Sequence, residues 1–370
     1  MEPESNPSAS LGTGTLGSIE CIELEPRLLV AGSKVNKMIR KIFLAVVVAI
    51  LLAGNSAWAT FIGVTDDPLT IGGGARPIGM GRAFGAVADD ADAIFINPAG
   101  LATMKRPQAM SMFTSLLGGD VYYTEVCGAI PTSFGAIGVG YISTGVNQIE
   151  TTINLQPVIT DYYDSVLAFN YSSGLSRFFR YADNVFLGLN LKIFNRGFTG
   201  GLNDASSGFS ADFGIKYIIS PYLNFGLTNN NFLPFSLGAG LRSTGGLEEA
   251  LAAQTRLAAA VKPAPFDGKL LLTSDIYLPA QSSRPITQHY GCEWKATPNV
   301  SLRMGMDQGL DIAGPGKTSW NPTFGTSLYY AGFRMDYALH PYYNDPSLAT
   351  SYFSFSYTGD PWLALEGRVE

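Results

Sequence analysis

The chain has 370 residues, of which only 15% are charged against about 25% in ordinary soluble domains; it carries 42 glycines, 12% aromatics and a net charge of -6. An acid-leaning, charge-poor chain argues against a nucleic-acid partner and suits a protein with a large apolar exterior. Its two histidines, His289 and His340, and its cysteines stand at no ligand spacing, so neither a metal site nor a cofactor is expected.

The first structured signal is an export signal. Met38-Ile39-Arg40-Lys41 is a positive n-region, Ile42 to Ala53 an uncharged apolar run, and Ala57-Trp58-Ala59 a small-residue cleavage box. The run is roughly 12 residues where a spanning helix needs about 20, so cleavage near Thr60 is expected rather than a retained anchor. No Cys follows the apolar core, which leaves a lipid anchor unsupported. Residues 1–37 are polar and aperiodic, consistent with a mis-assigned start or a disordered extension, and 38–59 are the signal segment.

Residues 60–106 read as a separate segment. They are rich in small residues, bear the acids Asp89, Asp90 and Asp92, and show no alternation. Met80 to Val87 is compatible with one or two helical turns. Asn97-Pro98 is a helix opening, with Asn as N-cap and Pro at the first helical position, followed by Ala99 and Gly100.

From about residue 107 to 358 the period is 2. Val185, Leu187, Leu189, Leu191 and Ile193 alternate with Phe186, Gly188, Asn190, Lys192 and Phe194; Val300, Leu302, Met304 and Met306 alternate with Ser301, Arg303 and Gly305. Each run therefore has one apolar and one polar face. The runs mostly last about 9 to 12 residues, the length of a tilted strand crossing a bilayer, and Gly, Asn, Asp and Pro clusters separate them. Aromatic pairs such as Tyr122-Tyr123, Phe178-Phe179 and Tyr329-Tyr330 stand towards run ends, where interfacial girdles sit. A sheet in hydrocarbon must close, because an open edge leaves backbone groups unpaired. The expected fold is all-β: a closed antiparallel transmembrane β-barrel.

About fifteen candidate runs are visible, Phe235 to Leu241 the weakest. Roughly 265 wall residues, at about 19 per strand and connection, give about 14 strands. The longer loops are expected at Asn147–Asp161, Gly197–Ser207, Ser243–Ala253 and Gln308–Ser319. Lys192, Asp212, Lys216, Arg303, Arg334 and Asp336 fall on the polar face and are read as a mutually neutralising lumen. Cys127 and Cys292 lie in strand-like runs, where small buried side chains are the plain reading and a disulfide is permitted after export.

The stretch Gly74 to Ala102, GARPIGMGRAFGAVADDADAIFINPAGLA, resembles the N-terminal signature of the FadL-like outer-membrane proteins, and within them a PorV-like, uncharacterised branch. GFSADFGIKY (Gly208 to Tyr217), FRMDYALHP (Phe333 to Pro341) and the closing run SYFSFSYT extend the likeness. The resemblance implies a fourteen-stranded barrel with a partly helical N-terminal hatch lodged inside, its Asn-Pro-Ala motif at Asn97, Pro98 and Ala99. Such barrels end on an aromatic strand, whereas this chain continues from Gly359 to Glu370 as a 359–370 tail.

The resemblance also implies an integral protein of the outer membrane of a Gram-negative-type bacterium, with outer-membrane lipids and the barrel-insertion machinery as partners. Two functions follow. The first is a channel for hydrophobic compounds such as long-chain fatty acids, gated by the hatch. Gly79, Gly81, Asn97, Pro98, Ala99 and Gly100 would then be gating positions, and Arg76, Arg82, Asp89, Asp90 and Asp92 would make polar contacts to the wall or to a ligand carboxylate. The second, PorV-like, is a non-transporting partner of a secretion system that binds exported proteins. No GxSxG and no Ser partner for either histidine occurs, so no catalytic residue is assigned.

Overall fold

The computed structural model describes residues 72–360, except 117–118, 180–181, 203, 282–283, 311–317 and 343–345, together with 63–65 and 68. The expected extension 1–37, the signal segment 38–59 and residues 361–370 of the tail lie outside the described residues.

In chain order the strands are β1 (Gly63–Thr65), β2 (Gln108–Leu116), β3 (Val121–Thr132), β4 (Gly135–Ile153), β5 (Gln156–Gly174), β6 (Val185–Gly200), β7 (Asp204–Ser220), β8 (Leu223–Asn230), β9 (Gly240–Ser243), β10 (Glu248–Leu251), β11 (Gln254–Val261), β12 (Leu270–Pro279), β13 (Thr287–Thr297), β14 (Val300–Leu310), β15 (Thr318–Tyr330), β16 (Phe333–His340) and β17 (Thr350–Thr358). Strands β2–β8 and β11–β17 each pair antiparallel with their neighbours. β8 passes directly to β11, and β17 returns to β2 with Phe353 opposite Phe113 and Thr358 opposite Gln108. The wall is thus a closed circuit of fourteen strands with no free edge. No helix among the described residues is long and apolar enough to cross a membrane.

Three short strands stand off this circuit. β8 has 8 residues beside the 17 of β7, so the first half of β7 lacks β8 as a partner. Ser206–Phe209 pair instead with Gly240–Ser243 of β9; β10 pairs with β9, and β1 lies parallel to β10. The weak run Phe235–Leu241 therefore resolves into a single 3-10 turn, Phe235–Leu237, and the start of β9, outside the barrel count.

Two of the expected loops are strand. β4 and β5 are 19 residues each, and pairing continues through Ile149↔Thr160 and Thr151↔Val158 after a bulge at Val146/Ile149. Likewise Gly197 pairs with Ala205 and Phe198 with Asp204. In the β4–β5 extension, β-branched residues facing one another carry the pairing beyond the length a bilayer needs. The stretch Ser243–Ala253 contains β10, and Gln308–Ser319 lies partly in β14 and β15.

The faces follow the alternation. Leu189, Leu191 and Ile193 are 48%, 48% and 46% exposed outward, while Asn190 and Lys192 between them are 1% and 0% exposed. Lys192, Asp212, Lys216, Arg303 and Asp336 are buried inward, and Nζ of Lys192 pairs with Asp212 at 2.8 Å. Of the aromatic pairs, Tyr330 and Phe178-Phe179 are exposed at strand ends, but Tyr123 is fully buried and points inward. Alternation forces this: adjacent residues on a strand cannot both face lipid. Among the described residues, Cys127 and Cys292 are free and on opposite faces, Cys127 inward on β3 and Cys292 beside the exposed Tyr290 and Trp294 on β13.

The segment 72–104 fills the lumen. It forms a helix at Ala75–Gly79, a second at Ala93–Ile96 and a 3-10 turn at Pro98–Thr103. Met80–Val87, read from sequence as helical, runs instead as turns, because Gly81 and Arg82 both take positive φ (60° and 62°). Ile78, Met80, Phe84, Ile94 and Leu101 are buried in one cluster with the wall residues Met110, Met112, Tyr123 and Tyr352.

Candidate functional site: the hatch, its seam with the wall and two cavities

The lumenal segment meets the wall closely because the wall turns glycines towards it. A Cβ on Gly188 would lie 2.2 Å from the Pro98 carbonyl carbon, one on Gly214 2.3 Å from Asn97 Oδ1, and one on Gly79 3.1 Å from Gly325 Cα. Backbone therefore packs against backbone, and each side can use the other's polar groups.

Asn97 shows how. Its Oδ1 accepts from Ala99 N at 3.2 Å, the expected N-cap, and Pro98 stands at the first position of the turn. Its Nδ2 donates to Gly85 O at 2.8 Å and to Ile215 O on β7 at 3.1 Å, so one side chain caps the turn, joins two parts of the hatch and ties both to the wall. Gly100 lies against Ala88, whose carbonyl oxygen a Cβ there would meet at 2.1 Å. Gly81, with φ 60°, donates its N–H to Thr323 Oγ1 at 2.9 Å, and its carbonyl faces His289 Nδ1 at 3.2 Å. These residues, expected as gating positions, are places of closest approach.

The charged residues form a closed ring. Arg76 reaches Asp89 (2.6 Å) and Asp90 (2.9 Å) in the hatch and Glu293 (2.9 Å) on β13. Glu293 takes Arg303 Nε at 2.6 Å, Arg303 pairs with Asp336 at 3.3 Å, Asp336 takes Arg334 Nε at 2.7 Å, and Arg334 returns to Asp90 at 3.0 Å. Ser327 joins Arg303 to Asp336. Three guanidinia face four carboxylates here, the wall members coming from three strands. Arg82 makes a second tether, to Asp307 at 3.3 Å, and Asp307 is itself held by His289 (2.8 Å) and His340 (2.7 Å). Asp92 stands apart from the ring, beside Glu125 and Cys127.

Further tethers involve residues given no hatch contact in the sequence reading. Lys216 Nζ donates to Val87 O (2.6 Å) and Ala88 O (3.0 Å), Asn190 Nδ2 to Ile94 O (2.6 Å), and Tyr277 OH to Arg82 O (2.9 Å). Asp275 accepts from Phe84 N (3.1 Å) and Gly85 N (2.8 Å). Alternation already placed Lys216 on the inner face; continuing the same rule from Arg303 would have placed Asp307.

Two cavities flank the hatch. One, of about 290 Å³, is lined by Pro77, Ile78 and Phe95 of the hatch and by Arg256, Tyr277 and His289 of the wall, near the connections 231–253 and 280–286. The other, of about 360 Å³, is lined by Arg76, Asp89 and Asp90 and by Asn299, Tyr330 and Arg334, at the end bearing the short turns 298–299 and 331–332. The helix Ala75–Gly79 therefore presents Arg76 to one cavity and Pro77 and Ile78 to the other.

No protein-family model and no curated protein matches the chain. Among solved structures it is similar to the CymD monoaromatic hydrocarbon channel (TM-score 0.55, 13% identity, 78% of this chain and 98% of that one). It is also similar to the Pseudomonas putida toluene transporter TodX (TM-score 0.49, 12% identity, 76% and 96%) and to a Pseudomonas aeruginosa FadL homologue (TM-score 0.47, 12% identity, 76% and 97%). At 13% identity the likeness to CymD shows a shared fold.

Proposed function

We propose that the chain is an outer-membrane channel for hydrophobic compounds, closed in this state by the hatch. The observation that carries the reading is the pair of cavities on opposite sides of the helix Ala75–Gly79 inside a closed wall with an apolar exterior. Lipid accounts for the exterior, and a route interrupted by one short helix accounts for the cavities. CymD, a monoaromatic hydrocarbon channel, shares this fold, which supports the same class of cargo.

The cavity beside Ile78 narrows that class. Ile78, Phe95 and Ile96 offer apolar surface while Arg82, Arg256 and His289 offer polar contacts, a lining suited to a hydrophobic compound with a polar or acidic end, long-chain fatty acids included. An empty site of about 150 Å³ already admits benzene, so about 290 Å³ admits one aromatic ring or one end of a longer chain. Passage requires Ala75–Gly79 to move, and Asn97 and the Arg76 ring hold the hatch until it does.

Uptake of a fluorescent long-chain fatty acid by liposomes containing residues 60–370 tests the reading, beside a variant lacking residues 66–103. Protein-dependent uptake that changes when the hatch is removed supports a gated channel. A folded, heat-modifiable barrel with no uptake of this probe or of a monoaromatic hydrocarbon overturns it and favours a protein-binding role.

A further inference from the structure

Three ligand-type side chains converge where the hatch meets β3, outside the ion-paired ring. Asp92 comes from the hatch; Glu125 and Cys127, two positions apart on β3, both face inward. One potential donor atom from each lies within 4.8 Å of the other two, and the residues are 0%, 0% and 3% exposed. Such a trio is normally compensated by cations or hydrogen bonds, and here it is only half so. Glu125 Oε2 accepts from Gly74 N at 2.9 Å and the Cys127 thiol lies 3.9 Å from Asp92 Oδ1, but Asp92 Oδ2 and Glu125 Oε1 have no hydrogen-bond partner. Neither carboxylate has an ion pair among the described residues; the nearby Arg334 is engaged by Asp90 and Asp336.

Glycine backbone packs directly against these two oxygens, with no side chain between. Gly74 takes φ 70°, and a Cβ there would lie 2.1 Å from Asp92 Oδ2; a Cβ on Gly73 would lie 3.3 Å from Glu125 Oε1. Both unpartnered oxygens thus face the same pair of side-chain-free residues. Burying carboxylates without compensation costs several kcal/mol per ion, so a positive charge is expected among them. A proton could supply it, but a proton does not require a thiol as third donor. One sulfur and two carboxylate oxygens match a borderline-soft divalent ion, whereas Mg²⁺ and Ca²⁺ take oxygen alone.

We propose that Asp92, Glu125 and Cys127 form a Zn²⁺-class transition-metal site that fastens the hatch to the wall. On binding, the metal–sulfur bond replaces the Cys127 S–H bond and the proton leaves to solvent, so affinity rises with pH. Two ligands belong to a strand and one to the hatch, so the ion restrains the seam at β3 much as the Arg76 ring does at β13. The site is independent of any transported compound.

Co²⁺ is the probe, added to residues 60–370 during refolding, with Zn²⁺ as competitor. The expected result is one Co²⁺ per chain and a thiolate-to-cobalt charge-transfer band that Zn²⁺ extinguishes. Cys127→Ser should abolish the band, and Glu125→Gln or Asp92→Asn should weaken binding roughly tenfold or more. Cys292→Ser, on the outer face, should leave both unchanged. A heat-modifiable wild-type barrel that takes up no Co²⁺ overturns the proposal and leaves a shared proton as the compensation. A band that survives Cys127→Ser, or disappears with Cys292→Ser, overturns it as well; the wild-type and Cys292→Ser measurements hold even where a variant in the seam fails to fold.

Discussion

Arg76 and Glu293, 217 positions apart in the chain, meet as a two-pronged pair: Nε donates to Oε2 at 2.9 Å and Nη2 to Oε1 at 3.0 Å. The planar guanidinium fits the carboxylate edge to edge, and its remaining nitrogen, Nη1, is left for Asp89 and Asp90. One side chain thereby joins the adjacent hatch acids Asp89 and Asp90 to β13.

Arg76→Ala should therefore loosen the hatch and destabilise it. Removing one member of a buried pair strands its partner, at about 3–5 kcal/mol. The expected outcome is faster hydrogen exchange across 75–96 and a lower heat-modification midpoint. Unchanged exchange would mean that the remaining tethers hold the hatch alone.

Asn97 distinguishes two roles of one side chain. Asn97→Ala loses the cap, worth about 1 kcal/mol, and leaves the Gly85 and Ile215 carbonyls short of a donor. Asn97→Asp keeps an acceptor for Ala99 N yet loses both donors and adds a charge facing two carbonyls. Asn97→Asp should be at least as destabilising as Asn97→Ala in denaturant unfolding. The reverse order would show that capping outweighs the ties to Gly85 and Ile215.

Gly188→Ala and Gly214→Ala should displace the Asn97-Pro98 turn, since the added carbon would stand 2.2–2.3 Å from atoms of the hatch. Trypsin cleavage in the hatch is expected to accelerate in both. Gly128→Ala, whose nearest neighbour would be Gln108 O at 3.4 Å, should match the parent. Equal rates in all four proteins would contradict the tight seam.

Hatch movement can be tested by a reversible cross-link. A Cβ on Gly79 would lie 3.6 Å from Ala338 Cβ, within the range a disulfide spans, about 3.5–4.5 Å. Gly79→Cys with Ala338→Cys, in a background of Cys127→Ser and Cys292→Ser, should block uptake when oxidised and recover on reduction. Uptake indifferent to the cross-link would mean that the route avoids this helix.

The alternation of Leu189, Leu191 and Ile193 with Asn190 and Lys192 was enough to separate lipid-type from lumen-type faces, because side chains on a strand have no third direction to take. The same rule, with run number and length, gave a closed wall of fourteen strands, and Asn97-Pro98 announced its turn through local capping chemistry alone. Strand ends were not legible: pairing in Ile149–Ile153 and Gly197–Gly200 is decided by the partner strand, which composition does not reveal. Nor was the seam. Arg76 and Asp89 were visible as charges, but the pairing of Arg76 with Glu293 is set by closure of β17 on β2 and by where glycines such as Gly188, Gly214 and Gly325 let the hatch approach. Asp92, Glu125 and Cys127 show the division most sharply, since only Glu125 and Cys127 are near in sequence, and it is the lumen's narrowness that brings the third carboxylate to them.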